Sequence, residues 1–198
     1  PPKPTQGSTF TLESCFCNNV IFIKYGQLVL GDIIDVSTIN KGVLNLNEGT
    51  TVVSEGTTGS ITLNPESKII INDKAILILG GTTTLNQYSE IYVKPGGTLI
   101  LKPASVLKMK GSSAIYAEAG SYICIETGAQ FEFDADSRFY IPEGVIQGIP
   151  PSSGITAPNC QNFCDLSIYN NFAGPLFLDP VPIFKVGRGM CEIYLNPN

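Results

Sequence analysis

The chain has 198 residues, enough for one domain with a real core. Only 15% of the residues are charged, and 12 basic against 17 acidic groups leave a formal charge of −5, which argues against a nucleic-acid or anionic-membrane partner. There is no His, which removes Ser-His-Asp and Cys-His catalysis and the common His-based metal sites.

Residues 1–19 are Pro-rich and then carry Cys15 and Cys17; they are expected to form an arm and an N-terminal cap. The chain starts at Pro1 and is taken as a processed product, so the lack of a leader says nothing about export. Residues 20–149 are expected to be the repeat domain. From residue 90 the chain runs in blocks of eight: EIYVKPGG, TLILKPAS, VLKMKGSS, AIYAEAGS, YICIETGA, QFEFDADS, RFYIPEGV. Upstream the block recurs with small length changes, as in VLNLNEGT, SITLNPES and KIIINDKA, and Ile21/Ile23, Leu28/Leu30 and Ile34/Val36 fit it too. Positions 2 and 4 are apolar, and turn residues fill the second half of the block.

Alternation over four residues is a strand signal; a helix would need apolar steps of three and four. Between residues 43 and 145 only Ser54 and Thr83 break the inward row. Such short strands lack the Asn-Gly or Asp-Gly turns of tight hairpins, so the pattern predicts a β-solenoid. Position 3 faces outward and sorts into three classes when every third block is taken. One set is mostly aromatic: Phe22, Asn45, Ile70, Tyr92, Tyr116, Tyr140. The next is aliphatic: Val29, Val53, Ile78, Ile100, Cys124. The third is polar: Asp35, Thr62, Thr84, Lys108, Glu132. The expected fold is therefore all-β, a triangular parallel β-helix of about 24 residues per coil, with like residues stacked about 4.8 Å apart.

Blocks such as TLILKPAS, YICIETGA and RFYIPEGV resemble the short, pectate-lyase-like β-helix domains of secreted bacterial cell-surface proteins of the type IX-exported kind. The resemblance covers roughly residues 20–150. It implies a right-handed coil, an extracellular or cell-surface location, and an adhesive or scaffold role.

Residues 150–198 hold Cys160, Cys164 and Cys191 and apolar clusters such as GPLFLDPVPIF. They are expected to form a cystine-containing tail that packs on the solenoid or on a neighbouring subunit. Six cysteines (Cys15, Cys17, Cys124, Cys160, Cys164, Cys191) fit three disulfides and an oxidising compartment; a thiolate metal site is the alternative, without the usual two-residue spacing. Cys124 is outward, on an aliphatic side with Val53, Ile78, Ile100 and Tyr122 that needs a cover. A bridge from Cys124 to Cys160, Cys164 or Cys191 is expected to lay the tail along that side, whereas Thr98 on the same side is expected to tolerate a charge.

The Tyr92/Tyr116/Tyr140 column is the candidate surface for a partner or a glycan, and equally a structural ladder. Glu132, Asp134 and Asp136 are the one acidic block; a Ca²⁺ site of the polysaccharide-lyase kind is weighed there against a solvated turn. A short Ser60/Thr62/Thr82/Thr84 array resembles ice-binding solenoids, but Lys108 and Glu132 interrupt it. No cofactor and no membrane insertion are expected. The expected function is a non-catalytic extracellular structural protein: surface scaffold, adhesin or self-assembling filament subunit, bound to itself or to another surface protein. A carbohydrate-binding or lyase-like module is the alternative.

Overall fold

A computed structural model describes the backbone at residues 9–12, 20–23, 26–30, 32–35, 38–40, 42–48, 50–54, 59–134, 136–155, 159–162, 184–185 and 192–193, and side chains between residues 42 and 162 within those ranges. The alternating blocks are short parallel strands stacked in three sheets, a β-solenoid. One sheet runs Thr9–Leu12, Val43–Leu46, Lys68–Ile71, Glu90–Val93, Ala114–Ala117, Arg138–Tyr140. It carries the tyrosines and is here the aromatic side. The aliphatic side runs Val20–Ile23, Thr51–Ser54, Ile76–Leu79, Thr98–Leu101, Tyr122–Glu126, Ile146–Gln147. The polar side runs Gly26–Leu30, Gly59–Leu63, Thr82–Leu85, Val106–Met109, Gln130–Phe133.

Register fixes the coil length. Tyr92 pairs with Tyr116 and Tyr116 with Tyr140, 24 residues per step. The step from Ile70 to Tyr92 is 22, because only Gly80 and Gly81 join Ile76–Leu79 to Thr82–Leu85. From Val43–Leu46 to Arg138–Tyr140 alternate residues of the strands enter one core, in which Ile61, Leu63, Ile69, Ile71, Leu77 and Leu85 are fully buried. Each such side chain contributes roughly 1.5–3 kcal/mol of transfer free energy.

The first coil departs from the expected phase. Thr9–Leu12 pairs with Val43–Leu46, so the solenoid begins inside the expected arm, not at residue 20. Phe22 is in register with Val53 and belongs to the aliphatic side; Val29 is in register with Thr62 and belongs to the polar side. Asp35 lies outside the three sheets, in an antiparallel hairpin of Asp32–Asp35 with Thr38–Asn40. That inserted hairpin displaces the count by one block, and TFTL at 9–12 supplies the strand the count lacked.

The corners repeat as faithfully as the strands. Lys74, Gly96, Gly120 and Gly144 form a left-handed column at one corner; Glu66, Tyr88 and Ser112 form another; Ala104 and Gly128 a third. Left-handed geometry costs a non-glycine residue about 1–2 kcal/mol. Four of these five amides donate to the next coil's turn: Glu66 to the Gln87 carbonyl, Tyr88 to Gly111, Lys74 to Gly96, Ala104 to Gly128, at 3.0–3.2 Å. Strand-end amides donate the opposite way, to the preceding coil, as Asn72 does to Leu46. Glycine is required most at Gly96, with φ +76° and the Asp73 carboxylate lying where a Cβ would stand. Where the polar side turns into the aromatic side, Ser67, Ser89, Ser113 and Ser137 are buried in line. Ser89 and Ser137 each donate to a carbonyl of their own turn at 2.7 Å.

Candidate functional site

The aliphatic side is not free. Ile76–Leu79 and Thr98–Leu101 are buried on both faces, which is why Ile76–Leu79 and Leu99–Leu101 read as unbroken apolar runs. Outside the core, Ile76, Ile78, Ile100 and Cys124 form a second buried cluster, against which Val53, Ile149, Ile155 and Cys160 pack. Tyr122, at its margin, is half-buried. Cys124 is bonded to Cys160, and Cys160–Gln161 pairs antiparallel with Ile125 and Glu126. The chain just after the solenoid thus covers this side. Thr98 is fully buried beneath that cover, so the expectation that it tolerates a charge is corrected. Cys15, Cys17, Cys164 and Cys191 lie outside the described residues, and so does most of the expected tail.

The aromatic side holds the three tyrosines in one column. Tyr92 and Tyr116 stack at 5.1 Å between centroids with 23° between planes; Tyr116 and Tyr140 follow at 6.5 Å, tilted by 56°. The Lys68 and Lys94 ammonium groups lie over the Tyr92 ring at 5.4 and 5.6 Å. Ring faces are therefore occupied by neighbours, and the column offers mainly edges and hydroxyls to solvent. Tyr140, 38% exposed, has the most open ring.

Ion pairs one coil apart occur on all three sides, two of them beside this column, and reasoning from sequence missed them. Lys68 pairs with Glu90 at 2.5 Å and Lys94 with Glu118, each one coil apart. Lys102 pairs with Glu126 at 2.8 Å and Lys108 with Glu132 at 3.0 Å. Lys74 pairs with Glu48 in the reverse order. The signal was available: a Lys followed by a Glu at one coil's spacing occurs four times. Each exposed pair contributes at most about 1 kcal/mol, but together they favour one register of coil on coil.

Two groups on this side titrate above their ordinary values. Lys68 is raised from 10.5, first by its hydrogen bond to Glu90, with burial opposing. Tyr92 is raised from 10.0, first by burial and then by the Glu90 charge. Both shifts favour the folded chain below about pH 10, and that preference is lost as pH rises through the raised values. The melting temperature is expected to fall between pH 9 and 11.5 and to fall less steeply in Lys68→Met. Parallel slopes in the two proteins would refute the assignment.

The acidic block is engaged in cross-coil contacts. Glu132 is the partner of Lys108, and Asp134 accepts the Gly111 amide at 3.1 Å. Asp136 is exposed at the next turn. Among the described residues no three His, Cys, Asp or Glu side chains converge as a metal site. EDTA is expected to leave the melting temperature within about 1 °C of its starting value; a drop of several degrees would return Ca²⁺ to this block. On the polar side, Ser60 is in register with Thr82 and Thr62 with Thr84, and Lys108 follows Thr84 one coil on, which ends the array after two rows.

No protein-family model, curated protein or solved structure matches this chain.

Proposed function

We propose that the chain is a non-catalytic extracellular scaffold or adhesin module that presents its aromatic side to another surface molecule. The observation that carries this reading is closure by its own chain. The aliphatic side lies under Ile149, Ile155 and Cys160, and in the last coil Phe131, Phe139, Ile141 and Val145 are buried within the single chain. A filament subunit of this shape would need an open apolar core at its ends, whereas here large side chains fill the core of the last coil. The Cys124–Cys160 bond favours an oxidising compartment, in keeping with a secreted or cell-surface location. The resemblance to type IX-exported, pectate-lyase-like domains supports the same location.

Size-exclusion chromatography with light scattering tests the reading. The oxidised protein is expected at its monomer mass of 21.2 kDa across a wide concentration range. Mass that grows with concentration would restore the filament reading. The glycan alternative rests on the open ring of Tyr140 and the exposed Arg138 beside it. Binding to a glycan array that disappears in Tyr140→Ala would move the protein to that class.

A further inference from the structure

The strands of the solenoid are held by parallel ladders, mostly of four residue pairs and mostly on both edges. The cover on the aliphatic side is held differently. From Ile149 the chain makes a short turn at Pro151–Ser153, closed by the Ser153 amide on the Pro150 carbonyl at 3.0 Å, and then a left-handed Gly154 at φ 68°. Ile155 donates its amide to the Ser153 hydroxyl at 3.3 Å. These bonds are internal to the cover. Its attachments to the solenoid include the side chains of Ile149 and Ile155, the two-residue antiparallel pairing at Cys160–Gln161, and the Cys124–Cys160 bond. Gln147 adds one side-chain hydrogen bond to the Cys160 carbonyl at 3.4 Å.

We propose that this segment is a redox-released strap: the Cys124–Cys160 bond keeps it closed over Ile76, Ile78 and Ile100, and reduction of that bond uncovers the strip while the coils stay folded. The asymmetry of the two cysteines sets the route. Cys124 is fully buried, whereas Cys160 is only partly buried. A thiolate of a dithiol reductant attacks the Cys160 Sγ, the disulfide bond breaks, and Cys124 leaves as a thiolate that takes up a proton. The reductant's second thiol then displaces Cys160 from the mixed disulfide, so the reductant departs as a disulfide and both cysteines are thiols. Two electrons and two protons enter the protein. A monothiol is disfavoured, because Cys124 remains beside the mixed disulfide and reverses the first step.

The solenoid does not need the strap for its own core. The inward cluster from Leu44 to Val145 is separate from the cluster beneath the strap. Opening therefore exposes one aliphatic strip and leaves the inward rows in place.

Hydrogen exchange by mass spectrometry on the full chain tests this, with the protein oxidised, treated with dithiothreitol, and as Cys160→Ser. In the last two states, amides of 149–161 are expected to exchange at least about tenfold faster, while those of 106–117 keep their protection. Fluorescence of an apolar-surface dye is expected to rise several-fold in the same two states. Cys160→Ser separates this bond from any made by the other four cysteines; if that variant does not fold, the dithiothreitol arm on folded protein decides. Unchanged exchange in 149–161 would overturn the proposal, because the strap would then stay docked without its bond. Loss of protection throughout 106–117 would overturn it equally, because the bond would then be a staple for the whole fold.

Discussion

Leu99→Asp is expected to unfold the solenoid, whereas Thr84→Asp is expected to leave it folded. Leu99 is fully buried in the inward row and in register with Leu77 and Ile123 on the coils either side. The substitution removes a buried Leu and places a carboxylate among aliphatic side chains. Together these cost on the order of 5 kcal/mol or more, comparable to the whole stability of a typical domain. Thr84 is only half-buried, faces outward on the polar side, and has Lys108 in register on the next coil. An added carboxylate there stays hydrated beside a cation, and the change is expected to fall within about 1 kcal/mol. Urea unfolding followed by circular dichroism distinguishes the two. Equal losses would mean that the inward and outward rows are not those described.

Period and side were legible because both rest on strictly local chemistry. A strand that buries one face alternates, and a coil of three such strands returns each side chain above its predecessor, so Tyr92, Tyr116 and Tyr140 fall in line. The pairing of Cys124 with the tail followed from the same logic: an outward cysteine on an aliphatic side requires a cover. The phase of the first coil was not legible, because Asp32–Asn40 also alternates yet folds on itself. Alternation marks a strand without naming its partner. Thr98 failed for a related reason: its outward position is visible in the repeat, but the strap above it is brought there by residues more than fifty positions away. The ion pairs hid among outward strand positions and turns, where Lys and Glu pass as ordinary surface residues until Lys94 and Glu118 are set one above the other.

The closure of the last coil carries its own expected result: Phe131→Ala should cost about 3–5 kcal/mol, the range for emptying a buried aromatic site. The inward residues of the coil before are Leu107 and Met109 on the polar side and Ile115 on the aromatic side. In the last coil the same positions hold Phe131, Phe133 and Phe139. Phe131 and Phe139 are almost fully buried, and the Phe131 and Phe133 rings lie 5.5 Å apart and nearly parallel. Larger side chains at the end of a stack fill the volume that a following coil would otherwise occupy. Phe133 is only partly buried, so Phe133→Ala is expected to cost about 1–2 kcal/mol. Denaturant midpoints at constant slope measure both. A second readout bears on function: with the aromatic end emptied, Phe131→Ala should associate at concentrations where the parent chain stays monomeric, because an open apolar core needs another surface. If the two substitutions cost the same, or if neither alters the mass in solution, the phenylalanines do not close the end.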